Sequence, residues 1–89
     1  MIDKFKVVDA QYVEGYTLRI TFVDGTCNDV DFEPFFIKCP NKVYDEYYNP
    51  ERFKEFRIEC GNVVWGQDWD LILNPMNLYY NDLFKNFEN

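Results

Sequence analysis

The 89-residue sequence contains no histidine and no serine. Without histidine, the chain lacks the side chain that most often acts as a general base near neutral pH and that usually activates a serine or cysteine nucleophile. The commonest metal-ligating side chain is missing for the same reason. These absences argue against most hydrolytic and metal-dependent mechanisms, and we expect no catalytic residue, no metal ion and no cofactor.

Cysteine is scarce and irregularly spaced. Cys27, Cys39 and Cys60 are odd in number and form no CxxC pair, which argues against a disulfide framework and against a tetrahedral zinc site. Reduced thiols suit a cytoplasmic protein. Since Cys27 and Cys60 flank predicted strand turns, we expect both to be packing residues.

Long apolar runs and basic patches are also missing. No stretch approaches the roughly 18 apolar residues of a membrane-spanning helix, and the N-terminal segment MIDKFKVVDA lacks the apolar core of a signal peptide. The chain carries 16 acidic and 9 basic residues, a net charge of −7. Because nucleic-acid affinity depends on cationic side chains, we expect neither direct nucleic-acid binding nor a membrane contact. The acidity fits either a solvated surface or a basic protein partner.

Aromatic residues, by contrast, make up 20% of the sequence. They either compensate for the small number of core positions or lie at the surface, where they could serve a partner. The candidate surface for a protein partner or for self-association is a tyrosine-rich helical segment together with one tryptophan: Tyr44, Tyr47, Tyr48 and Trp69.

The most informative segment is Tyr16–Phe32, in which two runs flank Val23-Asp24-Gly25. Apolar and polar residues alternate in the first run, so its apolar side chains share one strand face. A two-residue loop at Asp24-Gly25 would set carboxylates opposite those side chains, whereas a three-residue loop brings the apolar residues of both strands together. We therefore predict a type I turn with a bulge, in which Gly25 is left-handed. The expected pairs are Phe22–Thr26, Ile20–Asn28, Leu18–Val30 and Tyr16–Phe32.

The whole pattern predicts one α+β domain over residues 1–89: an antiparallel sheet of two to three hairpin-connected strands plus a second hairpin, with short helices between and a C-terminal helix. The first strand, Phe5–Val13, could turn inward either of two apolar sets, Phe5 and Val7 or Val8, Ala10 and Tyr12. In the second hairpin, Gly61-Asn62 fits a two-residue turn. That turn would pair Cys60 with Val63 and Ile58 with Trp65.

Helix signals fill the remaining segments. Asn49 and Asn74 each precede a proline, the usual arrangement of an N-cap and a first helical residue. They predict a helical turn over Pro50–Lys54 and a C-terminal helix over Pro75–Lys85 that buries one stripe. Other expected elements are an apolar turn at Phe35–Ile37, a helix over Lys42–Tyr48 and an extended Leu71–Leu73; the stripe is Met76, Tyr80, Leu83 and Phe87.

Two groups of carboxylates could carry chemistry. Asp29, Asp31 and Glu33 alternate on one predicted strand face, which could hold a hard cation or could simply be a solvated face. Asp68 and Asp70 lie close to Trp65, a combination that fits an acid–base or carbohydrate site, or a turn in which the aspartates cap backbone N–H groups. We favour the structural interpretation of both groups.

Two segments, LRITFVDGTCNDVDF and VVWGQDWDLILNPMNLYY, together resemble the bacterial family called domain of unknown function 2442. The resemblance spans about Val7–Tyr79, although Gly66 stands where proline commonly follows the tryptophan. It implies an α+β fold and no established activity. Some members carry a helix-turn-helix domain after this module, and others are encoded beside a second small protein in an arrangement similar to a toxin–antitoxin pair. The matching positions are Leu18, Ile20, Phe22, Asp24, Gly25, Val30, Asp31, Trp65, Asp70, Leu71, Leu78 and Tyr79.

Most of these signature positions also fit structural roles. We expect Asp24-Gly25 to form the turn, Trp65 to lie in the core and Asp70 to be a buried hydrogen-bonding cap. The favoured function is thus a non-catalytic module that binds a protein partner or itself, for example as one half of a regulatory or toxin–antitoxin-like pair. The alternative is a small carboxylate-based enzyme or ligand-binding domain; its residues would be Asp68, Asp70 and Trp65.

Overall fold

A computed structural model describes residues 4–39 and 41–84. They form an α+β fold with two three-stranded antiparallel sheets and several short helices. None of the helices in these ranges is long and apolar enough to cross a membrane. In chain order the elements are β1 (Val7–Glu14), β2 (Thr17–Phe22), β3 (Cys27–Asp31), α1 (Glu33–Lys38), α2 (Lys42–Asp45), α3 (Pro50–Phe53), β4 (Arg57–Glu59), β5 (Asn62–Trp65), β6 (Leu71–Ile72) and α4 (Pro75–Tyr79).

The first sheet, in the order β1-β2-β3, contains the predicted hairpin. The register of β2 against β3 confirms the three-residue loop, since Leu18 pairs with Val30 and Ile20 with Asn28. Gly25 has a φ of +92°, the left-handed conformation that the turn requires. The register therefore directs the apolar side chains of both strands to one face, where Leu18, Ile20 and Val30 are buried.

Strand β1 turns inward part of each predicted apolar set, and Val8 of the second set is exposed. Its pairing with β2 shifts between Val7 and Asp9, which is a β-bulge. An extra residue in one strand reverses the facing of the residues beyond it. Consequently Val7 packs in the core before the bulge, whereas Ala10 and Tyr12 pack against the core after it.

The second sheet has the order β4-β5-β6, so the extended segment at residues 71–72 adds a third strand to the predicted hairpin. The predicted register is wrong. Ile58 pairs with Val63 rather than with Trp65, and the loop is Cys60-Gly61. Both loop residues have positive φ, +53° and +79°, which is typical of a type I′ turn.

Neither of the two cysteines beside the strand turns is buried. Cys60 is exposed at the hairpin tip, and Cys27 is exposed on β3. The expectation that both pack in the interior is therefore wrong. Cys39, at the end of α1, is half-buried.

Side-chain caps begin three of the helices; those at Asn49 and Asn74 were predicted, whereas the cap at Asn41 was not. The amides of Asn41, Asn49 and Asn74 each accept a hydrogen bond from the backbone N–H two residues later. Helix α4, however, ends at Tyr79 rather than at Lys85. Asn81 then has a φ of +55°, so the backbone turns away from the helical path.

The predicted stripe of α4 is wrong for the same reason. Leu78 and Asn77 are the buried residues of the helix, whereas Tyr80 is exposed. Met76 and Leu83 are half-buried, and Phe87 lies outside the described residues. The short helix therefore contacts β3 through its C-terminal end.

One apolar core joins the two sheets to α1, α3 and α4. The sheets also meet through the backbone, where the N–H of Val7 donates to the carbonyl of Gly61 at 2.9 Å. Within residues 4–39 and 41–84, every buried side-chain nitrogen and oxygen has a hydrogen-bond partner. The largest fully buried side chains are Trp65, Phe22, Phe32, Phe53, Leu18, Ile20, Leu71 and Leu78.

Candidate functional site

The signature residues of the first hairpin and of α4 contact each other. The hydroxyl of Tyr79 donates to the carboxylate of Asp24 at 2.7 Å, and the backbone N–H of Thr26 donates to the same carboxylate at 2.9 Å. The hydrogen bond from Tyr79, followed by that from Thr26, lowers the pKa of Asp24. Nearby, the amide of Asn28 donates to the carbonyls of Leu78 and Tyr79. These bonds dock the end of α4 on the hairpin.

Trp65 lies at the centre of the core. It is 0% exposed, its ring stacks on Phe53 at 5.6 Å between centroids, and its indole N–H donates to the carbonyl of Phe53 at 2.8 Å. The indole thereby satisfies a backbone group at the end of α3. The prediction that Trp65 is a core residue is confirmed.

The three alternating carboxylates do not share one strand. Strand β3 ends at Asp31, and Glu33 already belongs to α1. Asp29 is paired with Arg19, with 2.8 Å between Nε and Oδ1, and this contact lowers the pKa of Asp29. Asp31 accepts the backbone N–H of Glu33 at 3.0 Å. No group of three such side chains in the described ranges has the geometry of a metal site.

A shallow depression of about 340 Å³ lies where the first sheet meets α1. Three of its lining residues are acidic, and all three side chains are exposed. We call it the acidic depression; its lining consists of Glu14, Gly15, Tyr16, Thr17, Asp31 and Glu33. The electrostatic potential at this end of the sheet is therefore negative.

Two tyrosine rings border the acidic depression. Tyr16 and Tyr48 contact each other at 5.0 Å between centroids, and the Tyr48 hydroxyl donates to Glu33 at 3.1 Å. Burial, followed by the nearby Glu33 carboxylate, raises the pKa of Tyr16. Burial and the hydrogen bond to Glu33 likewise raise the pKa of Tyr48. Both phenols therefore stay neutral at physiological pH.

The tyrosine-rich segment divides between core and surface. Tyr47 is only 2% exposed and belongs to the core, so it is not part of a surface. Tyr44 is half-buried against Phe35. Tyr48 is 39% exposed and stacks on Phe36. Two exposed aliphatic side chains lie on the neighbouring helices, Ile37 on α1 and Val43 on α2. We call these two residues and Tyr48 the helical surface.

The remaining predicted residues lie on the loop between β5 and β6, which we call the Trp69 loop (residues 66–70). Trp69, Asp68 and Asp70 are all exposed there. The expectation that Asp70 is a buried cap is therefore wrong. The Asp70 carboxylate instead lies over Gly66, where an added Cβ would come within 2.5 Å of Oδ2 and within 2.7 Å of the Tyr47 hydroxyl. A side chain at position 66 has no room on this backbone.

Sequence reasoning missed Glu14 as a member of the acidic depression. The signal was present in the strand register, because Glu14 pairs with Thr17 and Thr17 pairs with Asp31. Residues paired across an antiparallel sheet share one face. A complete three-strand register would thus have placed the carboxylates of Glu14 and Asp31 together.

A family model described as a protein of unknown function (DUF2442) matches residues 7–83 of the chain. The match covers both sheets and all four helices. No curated protein and no solved structure matches the chain.

Proposed function

The chain belongs to the DUF2442 family of proteins of unknown function, and we propose that it is a non-catalytic module that binds a partner protein through exposed apolar side chains. A small acidic module of this kind suits one half of a regulatory or toxin–antitoxin-like pair with a basic partner, since opposite net charges speed association.

One observation supports this proposal: the signature side chains are bonded within the fold, whereas those of the helical surface are exposed to water. Asp24 and Tyr79 bond to each other, and Trp65 bonds to a backbone carbonyl in the core. These residues hold the scaffold together. The helical surface, in contrast, leaves large apolar side chains in water, with Ile37 62% exposed. We propose that the three side chains form one apolar patch, because contiguous exposed apolar patches are typical of protein interaction sites.

The alternative function, a carboxylate-based enzyme or ligand-binding domain, would need Asp68, Asp70 and Trp65 in one cleft. Trp65 is fully buried, whereas both aspartates lie on the exposed Trp69 loop. The acidic depression is lined by other residues. No specific observation therefore favours this function.

The test is co-purification of the tagged chain from its source organism, with charge introduced at single exposed positions. We expect a partner in stoichiometric amount with the intact chain. Ile37→Glu and Val43→Glu should each reduce its recovery by on the order of tenfold, because a charge in an apolar contact is poorly solvated.

Val8→Glu is the matched control, since Val8 is about as exposed as Val43, 51% against 49%, but lies on β1 and outside the helical surface. It should leave recovery unchanged. A chain that stays monomeric and recovers nothing stoichiometric would contradict the proposed function.

A further inference from the structure

Trp69 differs from every other aromatic residue within residues 4–39 and 41–84, because its ring contacts neither another ring nor a cation. It is 37% exposed. Trp65, by comparison, is enclosed and hydrogen-bonded. A large aromatic side chain that packs on no other ring is available to a partner.

The backbone at Trp69 is strained. Its φ is +56°, a region in which bulky side chains are rare because Cβ comes too close to the following carbonyl oxygen. Strain of this kind persists where the surrounding structure fixes it, and it concentrates at functional sites. An exposed loop position could accommodate glycine or asparagine without that strain, so the tryptophan needs another explanation.

The Trp69 loop is also braced. The guanidinium of Arg57 donates to the carbonyl of Gly66 at 2.7 Å, and the N–H of Trp69 donates to the same carbonyl at 3.1 Å. Gly66 in turn packs directly beneath the Asp70 carboxylate. These contacts fix the backbone from which the indole projects, and a backbone that is ordered before binding lowers the entropic cost of binding.

We propose that Trp69 is the anchor by which this chain docks into an apolar pocket of a partner protein whose rim carries lysine or arginine. The inference rests on the proposed function and adds a contact to those of the helical surface. The rim chemistry follows from Asp68 and Asp70, the exposed residues directly before and after Trp69 in the chain, whose carboxylates take part in none of the ion pairs of the described residues. Those pairs are Arg19–Asp29, Arg52–Glu46, Arg52–Glu55 and Arg57–Glu59.

A second copy of the chain is a poorer occupant. Each copy carries a net charge of −7, so Asp68 and Asp70 would approach another acidic surface. Like charges brought together in an interface oppose association. A basic partner gains from the same carboxylates.

The test uses the intact chain labelled with 5-fluorotryptophan, which gives one fluorine signal for Trp65 and one for Trp69, assigned with Trp69→Asn. Asparagine tolerates positive φ, so this variant should stay folded, and thermal unfolding checks that it does. The probes are an amphipathic peptide of leucine and lysine and an all-lysine peptide of equal charge.

We expect the leucine–lysine peptide to shift the Trp69 signal saturably while the Trp65 signal stays in place. Trp69→Asn should weaken this binding by on the order of tenfold or more, as for other tryptophan anchors. Asp68→Asn should reduce its salt dependence. If the leucine–lysine peptide fails to bind, or binds without moving the Trp69 signal, the inference is wrong. A shift of equal size with the all-lysine peptide would refute docking of Trp69 into an apolar pocket.

The co-purified partner separates this inference from the proposed function. A natural complex that Trp69→Asn leaves intact would refute the anchor while leaving the module's binding role in place. The absence of any complex with the intact chain would instead refute the proposed function.

Discussion

The hydroxyl of Tyr79 donates to the carboxylate of Asp24 at 2.7 Å, joining the end of α4 to the hairpin turn 55 positions earlier in the chain. The aromatic ring of Tyr79 packs at the same place against Phe5 and Phe22. Two signature positions of the family thus form one contact that closes the fold. The contact is structural, because the carboxylate also accepts the N–H of Thr26 inside its own turn.

Tyr79→Phe should raise the pKa of Asp24 towards its ordinary value of 3.8, because the largest cause of its depression is removed and only the smaller effects of Thr26 and Lys4 remain. Carboxyl resonances followed by NMR during an acid titration measure this shift. Tyr44→Phe is the control, since the Tyr44 hydroxyl makes no hydrogen bond within the described residues. An unchanged Asp24 pKa in Tyr79→Phe would contradict the assignment.

The same contact predicts how stability depends on pH. A depressed carboxyl pKa stabilises the folded state above the ordinary value of 3.8, and this contribution is lost as the pH falls through the folded pKa. The intact chain should therefore lose more unfolding free energy than Tyr79→Phe between neutral pH and a pH below 3.8. Urea unfolding at both pH values gives the two losses, and equal losses would show that the pair is not linked to folding.

Gly66→Ala should destabilise the fold by about 2–4 kcal/mol. The residue has a φ of +87°, and the new methyl group would collide with the Asp70 carboxylate and the Tyr47 hydroxyl. Gly15→Ala is the matched control, since Gly15 also has positive φ, +54°, but faces open space. It should cost about 1 kcal/mol. Urea denaturation compares the two, and a Gly66→Ala variant no less stable than Gly15→Ala would refute the predicted collision.

Trp65→Phe should cost about 2–4 kcal/mol of unfolding free energy, because it leaves a void in the core and the Phe53 carbonyl without its donor. Trp69→Phe, which removes the same atoms at the exposed position, should cost less than about 1 kcal/mol. Chemical denaturation measures both. Equal costs would mean that the two tryptophans do not divide into a core residue and a surface residue.

The first hairpin could be predicted from the sequence because only one loop length keeps both apolar sets on one face. The second hairpin could not. Val63, Val64 and Trp65 are all buried, so β5 is covered on both faces and an alternating pattern says nothing about its register. The turn then formed at Cys60-Gly61 rather than at Gly61-Asn62.

The predicted C-terminal helix is too long, because the apolar stripe of the sequence continues past Tyr79, where tertiary contacts end the helix. Asn28 caps the carbonyls of Leu78 and Tyr79, and Asn81 takes the left-handed conformation that ends many helices. The asparagine at position 81 was the sequence signal for the end of the helix. The sequence contains no signal for the exposure of Asp70, since the position of that side chain depends on how Gly66 fits beneath its carboxylate.

The most direct test of the central claim is the native mass of the tagged chain isolated from its source organism, measured by light scattering at several concentrations. Binding to a partner protein predicts a defined complex heavier than the 10.8 kDa chain, which Val43→Glu converts to free chain and Val8→Glu does not. A single species with the mass of one tagged chain at every concentration, for the intact chain and both variants alike, would contradict the account.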